Sequence, residues 1–263
     1  MRKYISIYKS ELKSTLQYLS NIFVRLITYV FIVFIFMNLW NYIYDDPNKL
    51  INGYSKSQMI WYVIITEIIW TSTEGRKCCK RIVNDVRSGN IAYVINKPYS
   101  YIGYIISSHL GEVTIKAIIS MIVGGFLGII FLKGFPQLTI LSIGICFISG
   151  IIAVIINLLL ITFIGLISFI IEDSIPIYWL YSKIILILGV LFPIEYFPGV
   201  LGNIMKFSPI YVTCYGPAKL FVNFSIKSAI EIFIAQIIYL LIAWGLCYSL
   251  YKKGVKKLNV TGG

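Results

Sequence analysis

Few residues of this sequence could do chemistry, and those that could stand apart from one another. Glu67 lies inside the apolar run Gln58–Thr73. A carboxylate in lipid is expensive, so it must face protein or water, or carry a proton. That leaves two readings, a pathway or gating group or a structural partner for a neighbouring polar side chain. Glu112 and Lys116 are four residues apart and share one helix face, where they pair. Asn157 is central in a long uncharged run, placed either to bond between helices or to meet a substrate. His109 is the single histidine, and the five cysteines show no C-x-x-C spacing, which argues against a metal site. No G-x-S-x-G and no G-x-x-x-x-G-K-[ST] occurs, so no catalytic, cofactor or metal residue is expected in this chain.

The elements that position these residues follow from composition. The 263 residues are 58% hydrophobic and only 13% charged, with a net charge of +12. A soluble domain carries about 25% charged residues, so too little polar surface remains to cover a water-soluble globule. Spanning helices need about 20 apolar residues, and six candidates emerge: 22–44, 58–73, 105–132, 138–171, 175–192 and 230–251. Their continuous apolarity excludes a β-barrel, whose strands alternate. The run 138–171 exceeds one crossing and is expected to tilt, project from the bilayer, or break near Gly150. The fold class is therefore all-α and polytopic, with 1–263 forming a single transmembrane domain.

Charge orients it. Arg2, Lys3, Lys9 and Lys13 precede the first span; Arg76, Lys77, Lys80, Arg81, Arg87 and Lys97 separate the second and third; Lys252, Lys253, Lys256 and Lys257 follow the last. With six spans these groups share one side, which the positive-inside rule makes cytosolic. The other side holds Lys49, Lys56, Lys133, Lys206, Lys219 and Lys227 over longer loops. Both termini are thus expected in the cytosol. The basic excess answers to topology and anionic lipid, and no nucleic-acid partner is expected.

Three pieces lie outside the spans. Residues 1–21 place Ile5, Tyr8, Leu12, Leu16 and Leu19 at helical spacing, reading as an interfacial helix. The segment 74–100 reads as a helical extension, a turn at Gly89 and a short helix ended by Pro98. Its patch Ile91, Ala92, Val94 and Ile95 suits either a docking partner or the lipid headgroups. The segment 193–228 is apolar and aromatic with four prolines, reading as short broken helices that dip into the outer leaflet and cap a cavity. Phe197 and Tyr211 in it join Glu67 and Asn157 as candidate pathway or gating residues. Gly124-x-x-x-Gly128 offers a close helix contact within or between chains.

Residues 85–98, DVRSGNIAYVINKP, resemble the loop after the second span in permeases of the ATP-binding-cassette type-2 exporter class, roughly E-x-x-x-G-T-L-x-x-L-L-x-x-P. Asp85 stands where Glu is usual, Gly89 and Pro98 match, Asn90-Ile91 replaces Thr-Leu, and Val94 and Ile95 take apolar positions. Phe197-Pro198 and Ser208-Pro209 are similar to the family's re-entrant region. The resemblance implies that 74–100 is a coupling loop, with Asp85, Arg87, Gly89, Asn90, Ile91, Tyr93, Val94 and Lys97 contacting ATPase subunits. It also implies a second permease, identical or related, lining the translocation path. ATP and Mg would be held by the separate ATPase, with no cofactor in this chain. Export of a hydrophobic drug, antimicrobial peptide or lipid across a bacterial cytoplasmic membrane is the function expected. The rival is a self-contained proton-coupled carrier using Glu67, disfavoured because the halves show no convincing repeat.

Overall fold

Backbone inside lipid must satisfy its own hydrogen bonds, and apolar runs of this length do so as helices. The computed structural model describes residues 2–46, 49–132, 134, 136 and 139–261, with the backbone alone at 19–21, 95 and 257–261. Lys133 falls outside the described residues, as do the side chains of Leu19, Ile95 and Lys257. Among them the helices are α1 (Arg2–Gln17), α2 (Leu19–Ile43), α3 (Lys56–Thr73), α4 (Arg76–Arg87), α5 (Ile91–Ile95), α6 (Tyr101–Leu132), α7 (Ile140–Leu166), α8 (Ser168–Ile171), α9 (Ile175–Ile185), α10 (Gly199–Lys206), α11 (Gly216–Val222) and α12 (Ile226–Thr261). π-Turns at Leu186–Val190 and Tyr211–Tyr215 follow α9 and precede α11. The β pairing among the described residues is one bridge, Ile51 to Tyr54.

Capping explains two starts. Ser55 and Gln58 form a reciprocal box at α3, and Thr139 and Ser142 form one at α7. α7 runs unbroken through Gly150 to its cap at Ile167, and the short α8 that follows ends at Glu172, which takes a positive φ of 62°. One glycine costs a helix only about 1 kcal/mol, too little to break an apolar helix packed along α12.

Four stretches are long and apolar enough to cross a membrane: Ile22–Ile43, Tyr101–Leu132, Ile140–Ile171 and Ile226–Lys256. The other two expected spans are shorter. α3 has 18 residues and Ile175–Val190 is a shorter apolar helix; at 1.5 Å per residue both reach under about 30 Å. α3 lies inside the bundle against α2, α6 and α11, with buried residues on every face. A helix shielded by its neighbours can carry Glu67 without presenting it to lipid.

α1 packs along the first half of α6. Tyr8 donates to Thr114 Oγ1 (3.2 Å) and Lys3 Nζ donates to the Pro98 carbonyl (2.6 Å). Ile5 and Leu16, two of the expected apolar stripe, are exposed, and Tyr4, Tyr8 and Leu12 turn toward protein. The Tyr101 and Tyr251 rings stack at 5.9 Å, so the start of α6 and the end of α12 meet. The three basic groups of the sequence therefore gather at one end of the bundle. The Gly124-x-x-x-Gly128 face is filled within the chain: the Tyr29 hydroxyl abuts Gly124 and the Trp61 indole abuts Gly128.

Candidate functional site

The end that carries the basic groups presents an elbow. α4 buries Cys78, Cys79, Ile82 and Val83 and turns its charged face outward. That spacing seats it on α7 and α9. Burial pushes the Cys78 thiol up to about 12 and the Cys79 thiol to about 11, so neither supplies a thiolate at neutral pH. Gly89, at φ +72°, makes the reversal that an L side chain would resist. α5 then returns toward α6.

The structure divides the eight expected contact residues. Arg87, Gly89, Asn90, Tyr93 and Lys97 are exposed, Tyr93 by 75%. Ile91 is fully buried in a cluster with Ile82, Ile102 and Ile105. Val94 is half-buried against the same cluster. Asp85 is half-buried and accepts from the Tyr101 hydroxyl at 2.9 Å. Ile91 and Asp85 therefore hold the elbow onto the bundle and do not form its outer edge. The sequence pattern showed an apolar patch; the fold turned its largest described member inward.

The polar residues of the spans separate into used and unused groups. Asn157 is committed: its Nδ2 donates to Thr73 Oγ1 at 2.9 Å, and its Oδ1 accepts from the Tyr181 hydroxyl at 2.5 Å. It ties α7 to α3 and α9. Glu112 and Lys116 pair at 2.6 Å as expected, and Glu112 also faces His109 Nδ1 at 3.4 Å and Lys77 Nζ at 3.8 Å. Arg25 pairs with Glu74. Glu67 is fully buried, and among the described residues neither carboxyl oxygen has a hydrogen-bond partner; the buried Tyr29 hydroxyl has none either.

At the opposite end, the broken segment builds a cap. Pro193 and Pro198 precede the 3₁₀ turn Ile194–Tyr196 and α10, and Pro217 sits in the first turn of α11. Glu195 Oε1 accepts from Tyr215 (2.6 Å), Lys219 (2.9 Å) and Tyr54 (3.0 Å). Burial works to raise its pKa, but the Tyr215 hydrogen bond and the Lys219 ammonium prevail and hold the carboxyl below its ordinary value. Burial first, then the Glu195 charge, pushes the Tyr54 hydroxyl up. Trp40 packs its edge on Phe192 and Tyr196. Phe197 and Tyr211 line a cleft of about 360 Å³ beside Glu195, Tyr215 and Glu231. Sequence reasoning missed Glu195, Tyr54 and Lys219. The available signal was that Glu195 is the only acidic residue of 193–228.

The described residues form an all-helical chain with four helices long and apolar enough to cross a membrane, a basic elbow at one end and an aromatic cap at the other. The family model for ABC-2 family transporter proteins matches residues 12–262. The chain belongs to that family and is a permease subunit of an ATP-binding-cassette type-2 transporter. The family implies association with ABC ATPase subunits and a multi-pass membrane location. No curated protein matches the chain.

Proposed function

We propose that this permease is the membrane half of an ATP-driven exporter, with six crossings, both termini cytosolic, and a second permease completing the path. α3, enclosed by longer neighbours, and the 175–190 helix, which keeps one face exposed, supply the two short crossings. The observation that carries the reading is the α4–α5 elbow. Its exposed edge of Arg87, Gly89, Asn90, Tyr93 and Lys97 is held on the bundle by buried Ile91. A rigid lever with an exposed tip can pass a push from an ATPase subunit into α4 and thence to α7. ATP and Mg belong to that partner subunit. The substrate is an amphiphile, a drug, an antimicrobial peptide or a lipid, released past the aromatic cap where Phe197 and Tyr211 stand. The setting is a bacterial cytoplasmic membrane.

The test is mild-detergent purification of the chain from its native cells with mass spectrometry of co-purifying proteins. A stoichiometric partner carrying a phosphate-binding loop supports the reading, and cross-linking from Tyr93→Cys to it would locate the contact. A chain that emerges alone and folded would instead favour a proton-coupled carrier, for which unpartnered Glu67 is the specific observation.

A further inference from the structure

A second cleft, of about 240 Å³, opens between α1, α2, α4 and α6, at the end of the bundle that carries the elbow. Four basic side chains line it, Arg25, Lys77, Arg81 and Lys116, with the carboxylates of Glu11 and Glu112. Arg25 is also tied to Glu74. One cationic charge is left uncompensated.

Its inner wall holds groups that no described residue fully satisfies. Lys116 is 5% exposed, and its three-donor ammonium has Glu112 as its described ionic partner. His109 is also 5% exposed, and among the described residues its Nε2 has no partner. Glu112 Oε2 faces His109 Nδ1, so a neutral ring would carry its proton on Nδ1 and offer Nε2 as a buried acceptor. The cleft thus offers a single net positive charge with spare donors, beside an acceptor that wants a hydroxyl. Tyr18, Ile22 and Ile105 give it an apolar margin.

Depth agrees. α6 has 32 residues, about 48 Å at 1.5 Å per residue. Counting about 30 Å of hydrocarbon back from Leu132 reaches the neighbourhood of Glu112. A bilayer whose far hydrocarbon boundary falls at Leu132 would put its near headgroups at the cleft.

We propose that this cleft binds a glycerol phosphodiester headgroup, carried by an anionic membrane lipid, with the phosphate against Lys116, Lys77 and Arg81 and a headgroup hydroxyl donating to His109 Nε2. A phosphodiester supplies one negative charge, matching the surplus, and the glycerol hydroxyl meets the orphaned acceptor. The assignment to the cytosolic leaflet rests on the proposed topology; binding itself does not.

The test is native mass spectrometry of the full chain released from bilayers of equal phosphatidylglycerol and phosphatidylcholine. One phosphatidylglycerol per chain should persist at activation that strips phosphatidylcholine. Lys77→Glu, at a side chain that is 68% exposed and 3.8 Å from Glu112, should cut that retention about tenfold, the scale of one charge-assisted hydrogen bond. His109→Phe should lower the preference for phosphatidylglycerol over phosphatidic acid, with melting temperature checked in parallel. Equal retention of both lipids, or retention unmoved by Lys77→Glu, would overturn the proposal. Glycerophosphoglycerol without acyl chains that displaces the lipid at equal concentration would assign the site to a soluble phosphodiester and overturn the lipid assignment. An inverted topology, read by labelling Tyr93→Cys from either side, would leave the retention result standing.

Discussion

A Cβ placed on Gly111 would stand 2.7 Å from the backbone oxygen of Tyr8. The two belong to α6 and α1, so this pair marks where the backbones of α1 and a helix long and apolar enough to span a membrane touch. Lys3, Tyr4 and Glu11 then bond along the same seam, Glu11 accepting from Ser108, whose hydroxyl accepts from Arg81 of α4. α1 is therefore part of the packed bundle and is linked to α4 through Ser108 of α6.

Gly111→Leu should lever α1 off α6. The obstacle is backbone and cannot rotate aside, so overpacking should cost about 1–3 kcal/mol. Limited proteolysis at Lys9 and Lys13 should accelerate, and unchanged cleavage would show that α1 is held elsewhere.

Ile91→Asp and Tyr93→Asp should part company although the positions are two residues apart. The first buries a charge in an isoleucine cluster and should lower yield and melting temperature. The second alters an exposed tip and should leave the fold intact, while ATP-dependent transport falls about tenfold or more, as for loss of an interface anchor. Equal thermal stability of the two variants would contradict the buried placement of Ile91.

Asn157→Leu should destabilise by about 1–2 kcal/mol, because it removes two interhelical hydrogen bonds and takes the acceptor from the Tyr181 hydroxyl, while Thr73 keeps its bond to the Ile69 carbonyl. Both amide atoms are engaged within the chain, so substrate preference should not change. Scanning calorimetry together with a substrate panel reads both outcomes.

Glu67→Gln separates the two transport mechanisms. An ATP-driven permease should keep most of its transport and its ATPase coupling, since the amide fills the same space. A proton-coupled carrier would lose uptake or efflux driven by a pH gradient in vesicles.

The cap should weaken in acid. Glu195 is held below its ordinary carboxyl value in the folded chain, so it contributes stability that is present above the unfolded value near 4.5. That contribution is lost as pH falls through the lower folded value. Glu195→Gln should therefore destabilise by about 1–2 kcal/mol at neutral pH. The gap from the unaltered protein should close below about pH 4.5, as followed by the fluorescence of Trp40.

Much of the architecture could be read before any coordinates. Length, apolar runs and residue spacing determine an all-helical membrane chain, the Glu112–Lys116 pair, the Gly89 turn and the proline-broken segment 193–228, because these depend on local backbone chemistry and on the thickness of a bilayer. Which side of each helix meets protein was decided only by the tertiary fold. In lipid the covered and uncovered faces are equally apolar, so hydropathy cannot tell Ile156 of α7, which is buried, from Ile151 of the same helix, which is exposed. The same degeneracy hid the use of Gly124 and Gly128 by Tyr29 and Trp61. It also hid the convergence of Tyr54, Glu195, Tyr215 and Lys219, which are up to 165 residues apart. Sequence spacing carries one helix face at a time, and contacts among several helices arise only once their packing is set.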